Sequence, residues 1–183
     1  LLRGGAGCGS NWLTMVDDFL NPEIRDFQKT YIVGLEQSFH RDTLGEIATL
    51  WKTLHSHMHE IPNAVFKADG GAAYGISTMI DRAKLALDYM AAIEVQNLSA
   101  VPNGMDGREI GGSQAAVFTL PLRGGPIGAE IGAAYDAIWR HWMPTSDYVP
   151  TVEYDIERYD HRFDPATLSG ELQLIVPIKQ RDT

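Results

Sequence analysis

The sequence predicts an α+β fold made of two tandem β-α-β-β units. Three observations carry this reading. Each half of the 183-residue chain holds one amphipathic helical stripe. Each stripe has a β-like run before it and two after it. The helical stretches also match one another, LWKTLH (50–55) against IWRHWM (138–143), with Trp51 and Trp139 as the landmark pair of an internal repeat.

In chain order, residues 1–22 read as a disordered leader or tag. LLRGGAGCGS lacks the apolar centre of a secretory signal, and Met15 is a candidate natural start. TYIVGLEQSF (30–39) is the first strand. Thr43 and Glu46 then fit a capping box, followed by apolar residues at Leu44, Ile47, Leu50, Trp51, Leu54, Met58 and Ile61. That spacing of three and four predicts a helix, which Pro62 stops. AAYGIST (72–78) and DYMAAIEVQ (88–96) complete the first unit. The intervening MIDRAKLALDYMAAI (79–93) has helical propensity, but the repeat requires a strand by about Asp88, which leaves a short helical turn near 80–86.

The second unit opens with QAAVFTLPL (114–122). Its helix starts at Gly125-Pro126, with the proline in the tolerated first turn, carries the stripe Ile127, Ile131, Tyr135, Ile138 and Trp142, and ends at Pro144. TVEYDIERYD (151–160) and ELQLIVPI (171–178) are its closing strands. One domain is expected over 23–181, with halves at about 23–98 and 108–181. They meet about a pseudo-twofold axis, with antiparallel sheets around a central ligand cleft, since ligand sites form where subdomains meet.

Composition excludes several functions. Hydrophobic residues at 44% and charged residues at 21% are ordinary for a globular chain, and no apolar run is long enough to span a membrane. The single Cys8 precludes an intramolecular disulfide, so a reducing cytoplasm is expected. A net charge of −9 without any basic cluster argues against direct nucleic-acid binding and suits a cationic partner. Neither a GxSxG elbow nor a GxGxxG turn occurs, so no dinucleotide or other cofactor is expected. His55 and His59 stand at i, i+4 beside His57, but no third ligand completes a motif and no metal is expected.

The stretch YDIERYDHRF (154–163) concentrates the candidate chemistry. On a strand, Tyr154, Ile156 and Arg158 share one face and Asp155, Glu157 and Tyr159 the other. Both faces mix polar and apolar residues, so alternation leaves open whether Glu157 meets solvent or rings. If it is buried, desolvation raises its proton affinity. A cation entering among aromatic faces would then restore the charge, and the same carboxyl could act as acid or base. Candidate walls are Trp51, Tyr74, Tyr89, Trp142, Tyr148 and Tyr159. Trp51 and Trp139 fit a packed core equally well. Trp142 and Tyr148 flank the Pro144 break, and Tyr89 and Tyr159 occupy comparable places in the two halves.

Taken together, YIVGLEQSF, LWKTLH, YGIS, DYMAAIEV, the GGP before the second helix, AIWRHWMPTSDY, DIERYD and ELQLIVPI resemble the gyrase-inhibitor-like (GyrI-like) family. This is the effector-binding domain of AraC-type and MerR-type regulators, which also occurs free-standing. The resemblance runs from about Phe27 to Ile178 and is strongest to stand-alone, integron-associated members. It implies SHS2-like units and a multidrug-type pocket for hydrophobic, cationic small molecules, lined by aromatics around a central glutamate that maps onto Glu157. Some stand-alone members open cyclopropane-bearing genotoxins, which implies an alternative reading as a detoxifying hydrolase with Glu157 catalytic. A third reading is a gyrase-interacting inhibitor, with a regulator or gyrase as protein partner. No helix-turn-helix is attached within this stretch, and a homodimer through exposed strand edges stays open.

Overall fold

A computed structural model describes residues 19–81 and 83–182. The first unit comprises β2 (Thr30–Phe39), α1 (Ile47–His57), β3 (Ala73–Asp81) and β4 (Ala86–Val95), preceded by a short β1 (Glu23–Phe27). After β5 (Asp106–Ile110), the second unit comprises β6 (Ser113–Arg123), α2 (Ile127–Ala137), β8 (Tyr154–Tyr159) and β10 (Ser169–Gln180). Two small strands, β7 (Tyr148–Pro150) and β9 (Phe163–Asp164), pair with β10.

The strands form one antiparallel sheet in the order β1-β6-β10-β8-β3-β4-β2-β5. The duplication is visible in that order, because each unit places its strands identically: β3-β4-β2 in the first, β8-β10-β6 in the second. The units join along β3 and β8, where Ile76 faces Ile156. The two 11-residue helices begin at Ile47 and Ile127. Counted from those starts, Trp51 and Trp139 are not equivalent: Trp51 lies within α1, while Trp139 lies beyond α2 in a π-helical turn, Ile138–Trp142.

The edge strands cross over between the units. β1 pairs with β6 of the second half and β5 with β2 of the first, so the half boundaries expected at 23 and 108 each fall on a strand of the other unit. The sheet curls, and the Gly112 amide extends the β1–β6 ladder by donating to the Phe27 carbonyl at 2.8 Å. The enclosed face is filled by Phe27, Ile32, Tyr74, Ile76, Met90, Ile110, Val117, Ile156 and Ile175. The outer face carries the helices. α1 covers Val33, Phe39, Tyr89, Ala91 and Ile93, and α2 covers Phe118, Leu172, Leu174 and Val176.

Several local expectations give way to specific contacts. The Thr43 hydroxyl does not cap a helix; it accepts from the His40 amide at 2.9 Å, and a 3₁₀ turn at Leu44–Glu46 leads into α1. The apolar stripe of that helix packs as its spacing requires, with Leu50, Leu54 and Ile61 buried. Among the described residues of 80–86 no helix forms. β3 runs to Asp81, whose Oδ1 accepts from the Ala83 and Lys84 amides, and Leu85 turns the chain at φ 50°. Pro144 does not end the second helical stretch; it sits at the start of a separate short turn, Met143–Thr145, where a first-turn proline is tolerated. Of the expected leader, 1–22, residues 1–18 lie outside the described residues, while Phe19 and Leu20 pack on the α2 core, Phe19 with its ring centroid 5.7 Å from that of Phe118. No helix among the described residues is long and apolar enough to cross a membrane.

Candidate functional site

Strand alternation sends Asp155, Glu157 and Tyr159 to the helix side of β8 and Ile156 and Arg158 to the enclosed side. Glu157 therefore emerges at the seam, on the face that carries α1 and α2. It is only 5% exposed, and among the described residues no basic side chain pairs with it.

Two phenols take that place. The hydroxyls of Tyr89 and Tyr159 each donate to Glu157 Oε2 at 2.7 Å. The indole N–H of Trp51 donates in turn to the Tyr89 oxygen at 3.2 Å, and the Trp51 ring stands edge-on to both tyrosines, with centroids 6.5 and 5.5 Å away. Phe163 closes the far side of Tyr159 at 5.0 Å. Each of the three rings comes from a different element (β4, β8 and α1), so the cluster exists only when both units are folded together.

Room for the carboxyl comes from Gly75, which lies opposite Glu157 on the β3–β8 ladder. A Cβ there would lie 2.4 Å from Oε2 and 2.1 Å from the Tyr89 hydroxyl. A glycine within an otherwise apolar strand is the sequence signal for such close approach.

Burial raises the proton affinity of Glu157 most strongly, and the bonds from Tyr89 and Tyr159 pull it back without restoring the ordinary value of 4.5. Burial, reinforced by the Glu157 charge, holds both phenols well above their usual range. The tyrosines accordingly stay protonated and donate.

Of the expected wall residues, Trp51, Tyr89 and Tyr159 meet at Glu157. Tyr89 and Tyr159 do so from non-equivalent strands, the third strand of one unit and the second of the other, and not from matching positions. Tyr74 is not part of the wall. It lies in the enclosed core and accepts a bond from Arg158 Nε at 3.3 Å, because it pairs directly with Arg158 and points to the opposite face. Trp142 and Tyr148 stack on each other at 6.2 Å and 11°, with Trp142 edge-on to Phe118. They share the α2 core with Tyr159, but these ring contacts lie over β6.

The residues missed in the sequence are Gly75, Phe163, Tyr135 of α2 and Trp139 of the π-helical turn that follows it. The Trp139 indole donates to Asp155 Oδ2 at 3.3 Å. On the enclosed side, Asp160 fixes the end of β8. It accepts from the Arg162 amide, Nε and Nη2 at 3.0 Å each and pairs with Arg158. His57 pairs with Glu60 at 2.7 Å, and among the described residues no group of three or more metal-ligand side chains gathers.

Comparison with known proteins agrees with this architecture. A family model described as a GyrI-like small molecule binding domain matches residues 20–179. The chain is 31% identical over 150 residues to the transcriptional regulator BrlR of Pseudomonas aeruginosa, covering 80% of this chain and 51% of the relative, so it spans about half that protein's length. Among solved structures, SAV2435 bound to tetraphenylphosphonium superposes with a TM-score of 0.63 at 14% identity, over 87% of this chain and 94% of the other. An integron cassette protein of Vibrio cholerae gives 0.59 at 11%, over 86% and 95%. The EcmrR–DNA complex gives 0.67 at 10%, over 93% of this chain and 63% of the other. At these identities the structural likeness is one of fold.

Proposed function

The chain belongs to the GyrI-like small-molecule-binding family, and on that premise we propose that it takes up hydrophobic organic cations at the Glu157 cluster. The observation that carries this is a buried carboxyl held by two phenols and an indole edge, with no basic side chain beside it among the described residues. Such a group lacks its counter-charge. A cation delivered on a hydrophobic body supplies that charge, and the low dielectric of the seam makes the attraction far stronger than in water.

The rings contribute in a second way. The face of an aromatic ring attracts a cation by about 0.5–2 kcal/mol per good contact. Hydrated metal ions and ammonium are poor candidates, because they would have to shed water among apolar rings. A bulky cation with its charge spread over carbon loses little hydration. The tetraphenylphosphonium held by the fold relative SAV2435 has this chemistry, which supports the reading without assigning the natural ligand.

Equilibrium titration of tetraphenylphosphonium against the wild type and Glu157→Gln tests it. The carboxamide keeps the shape and removes the charge, and the proposal expects at least a tenfold loss of affinity. Equal affinity removes Glu157 as the counter-charge.

One observation favours a second reading, hydrolysis at the same carboxyl: a glutamate with raised proton affinity, positioned by two donors, is suited to general acid or base work. Incubation with a cyclopropane-bearing electrophile, followed by mass spectrometry, separates the two. Turnover beyond one equivalent, lost in Glu157→Gln, supports chemistry; recovery of unchanged compound leaves binding alone.

A further inference from the structure

Beside the Glu157 cluster lies one polar group that its hydrogen bonds leave out. The Tyr135 hydroxyl is shielded from solvent and has no hydrogen-bond partner among the described residues. Buried hydroxyls are nearly always bonded, as those of Tyr89 and Tyr159 are to Glu157.

Its position follows from two matched spacings. Tyr135 and Trp139 are four residues apart in the α2 stretch, about 6 Å along a helix. Asp155 and Glu157 are two residues apart on β8, about 6.6 Å along a strand. With Trp139 bonded to Asp155, the helix carries Tyr135 toward Glu157. In keeping with this, Glu157 is the strongest charge acting on the Tyr135 hydroxyl, ahead of Asp155, and together with burial it holds that phenol well above its usual range. Tyr135 also raises the proton affinity of Tyr159, and both rings belong to the α2 core. A π-helical turn begins three residues later, and such turns recur at functional sites.

We propose that Tyr135 is the ligand-facing hydrogen-bond donor of this site, so that cations carrying an ether or carbonyl oxygen beside the charge are preferred over all-hydrocarbon cations of equal size. This rests on the reading of Glu157 as counter-charge and adds a polar specificity to it. The phenol makes no bond to Glu157, whose Oε2 already receives two donors, and as a neutral group it adds no charge to the site. It is placed to donate to the ligand's oxygen while Glu157 faces the ligand's cationic centre. Tyr135 thereby decides which cations bind, where Glu157 decides that cations bind.

A matched pair of probes tests this, propyltriphenylphosphonium and methoxymethyltriphenylphosphonium, which differ by one CH₂ replaced by oxygen. Affinities are measured by calorimetry for the wild type, Tyr135→Phe and Glu157→Gln. The expected result is a preference of about fivefold for the ether in the wild type, the ordinary worth of one neutral hydrogen bond. That preference disappears in Tyr135→Phe while affinity for the propyl compound is kept. Glu157→Gln lowers both affinities together. A ratio of ether to propyl affinity that is the same in the wild type and Tyr135→Phe overturns the role of Tyr135. Failure of both compounds to depend on Glu157 overturns the underlying reading instead. Retained propyl binding in Tyr135→Phe also establishes that this variant is folded.

Discussion

Gly75 and Glu157 face each other across the β3–β8 seam, and the missing side chain of the one is the space occupied by the carboxyl of the other. A methyl on Gly75 would lie 2.4 Å from Glu157 Oε2. The site is thus formed by a pair contributed equally by the two repeated units, one giving the charge and the other the vacancy.

Gly75→Ala should therefore disable the site without touching any charged or aromatic residue. Its Cβ also falls 2.1 Å from the Tyr89 hydroxyl, and that ring is fixed in the α1 core. Overpacking of this kind costs about 1–3 kcal/mol. Chemical denaturation should show that loss, and affinity for tetraphenylphosphonium should fall at least tenfold in the protein that remains folded. A variant with wild-type stability and affinity would show that the carboxyl does not need this space.

Removing one donor should act through charge. Tyr89→Phe deletes one of the two bonds to Glu157 Oε2. A bond to an ionised acceptor is worth about 1.5–3 kcal/mol and one to a neutral acceptor about 1 kcal/mol, so the variant should lose more stability at pH 8 than at pH 4. Glu157→Gln should behave in the opposite sense. The folded proton affinity of Glu157 lies above its unfolded value, so its contribution to stability is fully present below pH 4.5 and is lost as pH rises through the raised folded value. The melting temperature of Glu157→Gln relative to wild type should accordingly climb from pH 4 to pH 8. A flat difference over that range would falsify the raised proton affinity.

Much of this fold was legible in the sequence because periodicity reports burial. The stripes of α1 and α2, the long strands and the order strand-helix-strand-strand were all readable. Other features depend on contacts distant in sequence. EIRDF (β1) and DGREI (β5) are short and mixed in character, and become strands only because β6 and β2 offer them open edges. Glu157 could be picked out as a candidate only from its ring-rich stretch and the family resemblance. Tyr74 was a reasonable aromatic candidate, but its face is set by pairing with Arg158, and register across a seam is not written in either strand alone. Gly75 and Tyr135 were missed for the same reason, since one works through an absent atom and the other through a partner it lacks.

The Asp160 cluster should govern acid stability. Burial opposes its ionisation most, yet the Arg162 bonds and the Arg158 and Arg162 charges together hold it far below the ordinary value of 3.8. With the folded value depressed, its contribution is present above pH 3.8 and lost as pH falls. Asp160→Asn should cost about 2–3 kcal/mol at pH 7, less than for a fully buried pair because both guanidinium groups reach solvent. The difference from wild type should shrink on acidification below pH 4 in denaturation curves. A penalty independent of pH would place the role of Asp160 in packing.

The central claim is that an arriving cation ionises a buried Glu157. The most direct measurement is the number of protons released when tetraphenylphosphonium binds, obtained by calorimetry in buffers of different ionisation enthalpy. Around pH 5, just above the ordinary glutamate value of 4.5, the wild type should release a substantial fraction of a proton per ligand, declining as pH rises through the raised folded value, while Glu157→Gln releases none. Binding without proton release at pH 5, or equal release from both proteins, would contradict the account.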